Sequence, residues 1–422
     1  MSNTTDAGDS DERGHVRAVE AELGAVLRWL RVDGIGQGRL RQLTQGFGRA
    51  SIALGASSEA VAEVLSIDTA VAARMLSDAC SDDATAAVAE EMRALGLLGV
   101  EPVFEGSGRY PALLAATHDP PAVLFVRGRL EAAPEPAVAI VGSRQATSYG
   151  RVQAGRIAGE LAERGVTVIS GGARGIDAES HRGALRASGR TIAVLATGAT
   201  NPYPLDHISL FDSIVEAGGC VMTEQPPSVT VRPDLFPRRN RIIAGLSLVT
   251  LVVEAASRSG ALLTARIAVD DLSREAACLP GSVQSPWSEG CHRAIREGWA
   301  QLVTGANDVI ELLHGARSVA EGAVELAVRR ESRPEQAPRR EPAEPRRRVV
   351  ESRREPVPPT SPCSPDAEAV LAAIRAAGRA GLDELEQALD WTVPRLACAT
   401  LELEVAGRIG RLADGAFAER AR

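Results

Sequence analysis

The sequence predicts an α/β protein. The expected architecture is a Rossmann-like, doubly wound, mostly parallel sheet, with an N-terminal helical domain (helix-hairpin-helix or SAM-like) and a C-terminal winged helix. Three observations predict it. Short, continuously apolar runs alternate with amphipathic helical segments from Val138 to Val303. Helical pairs joined by tight turns fill residues 23–108. A Pro/Arg/Glu-rich stretch without apolar periodicity, within 316–365, separates the core at 109–315 from residues 366–422.

Residues 1–22 carry two arginines against six acids, which predicts a disordered acidic tail and not a secretory signal. Leu23 to Gly48 then reads as helix, glycine turn, helix. The Gly34-Ile35-Gly36 turn either offers amides to a phosphate or is a tight interhelical connection, and the residues leave both open. A second helical pair over Ala60–Ala79 turns at Ser66-Ile67-Asp68 without glycine.

In the core, strands are expected at Val138–Val141, Val166–Ser170, Thr191–Ala196, Cys220–Thr223, Leu248–Val253, Ala276–Leu279 and Ala300–Val303. Helices over Arg151–Arg164, Ala178–Ala187 and Ala261–Leu272 lie between them. Apolar strands alternating with helices make a parallel sheet covered on both faces. Such a fold binds ligands beyond the carboxyl ends of its strands, so the informative loops follow Val141, Ser170, Ala196, Thr223 and Val253. Past the linker, helices at Glu368–Ala377 and Asp383–Leu389, a third from Thr392, and an Arg408–Phe417 hairpin turning at Asp414-Gly415 compose the winged helix.

Composition narrows the chemistry. All 47 basic residues are arginine, so a Walker P-loop and Schiff-base catalysis are excluded for want of lysine. The six cysteines form no CxxC pair, and neither a disulfide framework nor a metal site is expected. No apolar run spans a membrane, and a cytoplasmic protein is expected. The net charge of -8 gives no global attraction for nucleic acid, so any anion binding must come from local arginine clusters and backbone amides.

Four loops offer such clusters. In AIVGSRQATSYG (139–150), Gly142 permits close backbone approach, Ser143 offers a hydroxyl and amide, and Arg144 offers a bidentate phosphate fork. In ISGGARGIDAESH (169–181), Gly171, Gly172, Arg174 and Gly175 suggest an anion-binding nest. There Asp177 is expected to cap the following helix, and His181 to be a hydrogen-bonded framework residue. In PDLFPRRNRIIAGLS (233–247), Arg238, Arg239 and Arg241 surround Asn240 immediately before a helix, an arrangement suited to several phosphates of a polymer. Ser257-Arg258-Ser259-Gly260 precedes another helix and adds an anion site at Ser259 and Gly260.

Together with LPGS (279–282), RYPALL (109–114) and HDPPAVLFVRG (118–128), these segments resemble the DNA-processing protein A (DprA/Smf) family over roughly residues 23–315. The resemblance implies single-stranded DNA binding, loading of the RecA recombinase during natural transformation, a homodimer, and neither catalysis nor a cofactor. Departures fall at Ala196, Thr200, His207, Thr223, Ser228 and His292. The competing reading is a nucleotide phosphoribohydrolase on a related core. Its PGGxGTxxE loop is replaced here by SRSGALLTA, with no acid where the catalytic glutamate would lie.

The last domain departs from a DNA reader. Residues 366–422 hold seven arginines against ten acids, and the candidate recognition helix, Thr392 to Ala406, carries only Arg395 against Glu402 and Glu404. A protein contact through Leu396, Leu401, Leu403 and Val405 is expected instead, unless these residues form the domain's own core.

Overall fold

In the computed structural model, residues 6–131 and 136–316 are described, together with 365–389, 391, 395, 396, 399, 400, 403, 408–411 and 417–419. The chain divides into two units, Met1–Gln336 and Ala337–Arg422.

The first unit opens with helices α1 (Asp6–Arg31), α2 (Gln37–Phe47), α3 (Ala50–Leu54), α4 (Ser58–Leu65), α5 (Thr69–Ala79) and α6 (Asp82–Leu97). The tail expected to be disordered over 1–22 is helical from Asp6. Glu22, well inside α1, accepts the amides of Ala50 (2.5 Å) and Ser51 (3.2 Å). Ser57, Asp68 and Ser81 cap α4, α5 and α6 through their side chains. The glycine-less turn is still left-handed, with Ser66 at φ 54°. Gln37, beside the Gly34-Ile35-Gly36 turn, donates to Glu224 O at 2.5 Å and accepts from Val123 N at 3.3 Å. Ile35 is buried. That turn therefore docks the helices on the sheet.

The sheet has nine strands: β1 (Val100–Phe104), β2 (Val123–Gly128), β3 (Ala137–Val141), β4 (Thr167–Ser170), β5 (Thr191–Val194), β6 (Cys220–Thr223), β7 (Val249–Val252), β8 (Glu275–Cys278) and β9 (Gln301–Leu302). Their order is β1-β2-β6-β5-β4-β3-β7-β8-β9. Strands β3 to β9 pair in parallel, while β1 and β2 extend the β6 edge antiparallel. β1 lies within the range read from the sequence as purely helical. Its Val100 packs with Val123, Phe125 and the α1–α6 residues in one buried cluster, so the boundary drawn at 108 cuts through a continuous core.

Helices α7 (Ala112–Ala115), α8 (Ser148–Glu163), α9 (Ile176–Arg186), α10 (Ile208–Glu216), α11 (Leu235–Gly245), α12 (Gly260–Arg266) and α13 (Glu289–Arg296), with helical residues 306–316 (α14), cover the sheet. Strand alternation sorts the faces. Ala139 and Val141 enter the cluster containing α11–α13 residues, whereas Val138 and Ile140 enter the one containing α8 and α14 residues. A five-residue π turn, Ile267–Asp271, continues α12. The order reverses between β3 and β7, which makes the loops following those strands the expected ligand crevice.

The second unit contains α15 (Pro365–Ala377), α16 (Leu382–Leu389) and the antiparallel pair β10 (Ile409–Arg411) and β11 (Phe417–Glu419). Leu396 and Leu403, expected to present a protein-docking face, are fully buried in this unit's own core with Val370, Leu371 and Phe417. A domain of this size has little else to bury. Leu401, Val405, the Asp414-Gly415 turn and nearly all of the 316–365 linker lie outside the described residues.

Candidate functional site

Beyond the carboxyl ends of β3 and β7 lies a cavity of about 490 Å3. Its walls include Ser143, Arg144 and Gln145 after β3, Phe236, Arg239 and Asn240 from α11, and Arg258, Ser259 and Gly260 after β7. Three arginines line it against a single acid, Asp177, so it suits an anion. A second cavity of about 240 Å3 adjoins it, sharing Arg144, Gln145, Ala173 and Phe236, and adds Gly171, Arg174, Thr197 and Tyr203.

The site differs from a dinucleotide crevice in one respect that the sequence reading missed. Glu254, just past β7 and 2% exposed, accepts the Thr147 amide (2.9 Å) and hydroxyl (2.5 Å) at the start of α8. The helix N-terminus where a pyrophosphate would rest is filled by the protein's own carboxylate. An acid directly following the apolar run Leu248–Val253 was the available signal.

The arginines fall into two groups. Arg144 is exposed, with its guanidinium carbon 4.5 Å from the Phe236 ring centroid, and Arg238 and Arg258 are also exposed. Among the described residues none of these three has a carboxylate partner within ion-pair range. Arg239, expected to meet phosphate, is instead 4% exposed and donates to Val194 O at 2.5 Å. Burial pushes its pKa down to about 10, the field of Asp177 opposing, so it remains a cation. Arg241 is held outside the cavity by the buried Glu224 and by Asp119. Burial raises the Glu224 pKa, and Arg241 opposes that rise. Arg174 is exposed but forks onto Asp206 at 2.7 and 3.0 Å.

The three α11 arginines do not precede a helix as expected; they lie within it. Pro237 occupies the first turn, where its missing N–H has no helical partner to lose. Leu235, Arg239, Ile242 and Ile243 then share the buried face while Arg238 points out.

Nor do the glycines of the second loop form an open anion nest. A side chain at Gly171 would strike Arg239, and one at Gly172 (φ 68°) would strike Phe211. At Gly175 (φ 80°) it would meet the carbonyls of Ser143 and Arg144, and at Gly142 it would meet Ile176. The two loops interlock, with the Ile176 amide donating to Ser143 O at 3.2 Å and the Ser143 amide to Glu254 O at 2.8 Å. Ser143 Oγ accepts from Gln145 N. Gly260 differs: open space surrounds it on the cavity wall, beside Ser259, whose hydroxyl caps α12. The Asn240 side chain donates to Gly260 O at 3.4 Å, which ties α11 to that loop.

Asp177 is structural, but not as the cap of α9. It lies inside the first turn, and its carboxylate accepts from Ala173 N at 3.3 Å. Burial raises its pKa, with Arg239 the main opposing charge. His181 is fully buried. Its Nδ1–H donates to Thr191 Oγ1 at 2.7 Å, because that hydroxyl's own proton goes to Val168 O. Burial pushes its pKa down to about 3, so it is neutral. The departures from family pattern are accommodated locally. His207 Nδ1–H donates to Gly172 O (2.9 Å), Thr200 Oγ1 to Pro227 O (2.6 Å) and Ser228 Oγ to Glu91 (2.5 Å).

Among the described residues no group of three His, Cys, Asp or Glu side chains could hold a metal, and no helix is long and apolar enough to cross a membrane.

A doubly wound α/β core with an arginine-lined crevice at its topological switch point defines the class: a Rossmann-like protein. Residues 102–314 match the family model described as DNA recombination-mediator protein A, and residues 354–415 match the DprA winged helix domain. The chain belongs to the DprA/Smf family. Protein Smf of Escherichia coli K12 is 47% identical over 204 residues, 48% of this chain and 54% of that relative. DNA processing protein DprA of Bacillus subtilis is 36% identical over 216 residues, 51% of this chain and 72% of that protein. The crystal structure of DNA processing protein A from Streptococcus pneumoniae is similar with a TM-score of 0.59 and 30% identity, covering 68% of this chain and 97% of that one. The chain spans about half the length of the first curated relatives it matches.

Proposed function

We propose that this chain binds single-stranded DNA in the switch-point crevice, without catalysis or cofactor, and acts in DNA processing during natural transformation. One observation carries the reading: Arg144 and Arg258, without carboxylate partners among the described residues, line a 490 Å3 cavity that shares a wall with a second cavity. Adjoining anion sites suit successive units of a polymer, and loops suit a flexible strand better than a duplex groove. The buried acids nearest the site, Asp177 and Glu254, are both engaged by loop amides, which supports a binding role over hydrolysis.

The recombination-mediator description of the matching family supports transfer of the bound strand to the RecA recombinase. A cytoplasmic homodimer is the form in which the chain would do this. The test is an anisotropy titration with a labelled oligonucleotide, competed by the same sequence as single strand or duplex. Preference for the single strand and no release of nucleotide products are expected. Equal affinity for duplex, or turnover of a nucleoside monophosphate to free base, would overturn the reading.

A further inference from the structure

Trp287 lies on the loop between β8 and α13, where its half-buried side chain forms part of the larger cavity's wall. The loop is held at both ends. Tyr149 donates its hydroxyl proton to Pro280 O at 2.8 Å, and Trp287 O and Ala255 O accept the amides of Ala255 (2.7 Å) and Gly290 (2.9 Å). The indole is thus presented on a fixed backbone. The indole N–H groups of Trp29 and Trp299 donate to Ala50 O and to Glu297, but that of Trp287 has no acceptor among the described residues. The other large aromatic on this wall, Phe236, already has Arg144 over its ring and Tyr203 packed edge-on at 6.2 Å.

We infer that Trp287 stacks on a nucleobase of the bound strand, so that the cavity holds one nucleoside unit between Arg144 and Arg258. This rests on the single-strand reading above. Indole stacking is tolerant of base identity because every base has a π-face, so Trp287 adds affinity for bases without adding sequence preference.

The experiment compares a short oligothymidylate with an abasic strand of equal length, titrated against the unaltered protein, Trp287→Ala and Trp287→Phe. The unaltered protein is expected to favour the base-bearing strand by about tenfold. Trp287→Ala should lose that preference while keeping its affinity for the abasic strand, and Trp287→Phe should retain most of it. Binding should also quench indole emission in the unaltered protein and not in Trp287→Phe, a readout that stands even where the alanine variant fails to fold. Equal binding of both strands by the unaltered protein overturns the inference and leaves the single-strand reading intact, as does an alanine variant weakened equally on both. Failure of the unaltered protein to bind either strand overturns both.

Discussion

Arg144 and Arg258 on the cavity wall, and Arg238 on the exposed side of α11, face solvent without carboxylate partners among the described residues. In the C-terminal unit, Arg375, Arg395 and Arg408 are each held by an acid: Glu419, Asp366 and Glu368. A guanidinium forked onto a carboxylate must break that pair before it can take a phosphate, whereas an unpaired one need only shed water. Net charge is therefore a poor guide to where this chain binds anions. Residues 109–315 are formally neutral and residues 366–422 acidic, yet the decisive difference is pairing.

The comparison can be broken first at the buried arginine. Arg239→Ala removes a cation from beneath Gly171 and leaves Val194 O and Asp177 without it, which should cost about 3 kcal/mol of stability or more. Urea unfolding checks this; a loss under 1 kcal/mol would mean that Arg239 is not structural. Arg241→Ala should cost about 2 kcal/mol by stranding buried Glu224, and a double change to Arg241→Met with Glu224→Gln should recover most of it. Failure of the double variant to recover would place Arg241 outside that pair.

His181 sharpens the framework side. Its folded pKa of about 3 lies below the unfolded value of about 6.5, so the folded state binds fewer protons as acid is added. Its contribution is complete above about pH 6.5 and is lost progressively as pH falls toward 3. Between pH 7 and 5 the unaltered protein should lose about 2 kcal/mol more than His181→Gln; parallel stability curves would refute a neutral buried imidazole. The smallest effect is expected from the paired arginines. Deleting residues 329–422 should leave single-strand affinity within about threefold, or 0.6 kcal/mol, and a larger loss would show that this segment contributes contacts.

Much of the fold was legible because the parallel strands are buried on both faces and read as continuous apolar runs. Cys220–Thr223 matches β6 at both ends, and the other expected strands contain the observed ones or nearly so. Strands β1 and β2 were not read as strands: they form an antiparallel extension beside a helical region, without the strand–helix alternation that signals the rest. At the site, the sequence located the loops but could not assign the arginines by composition. Helical periodicity across Leu235, Arg239, Ile242 and Ile243 would have separated buried Arg239 from exposed Arg238. The glycine loop misled for a related reason. Glycine serves equally where a ligand approaches and where two loops of the same protein interlock, and only the neighbours distinguish the cases.

The salt dependence of single-strand affinity tests the central claim most directly. For the unaltered protein and for Arg144→Ala with Arg258→Ala, log K would be measured against log salt concentration. The double variant should bind more weakly, and its slope should be shallower by about 1.4, roughly 0.7 per phosphate contact removed. Arg239→Ala, compared under conditions where it is folded, should keep the unaltered slope. A double variant with unchanged affinity and slope would contradict the assignment of the switch-point crevice as the DNA site.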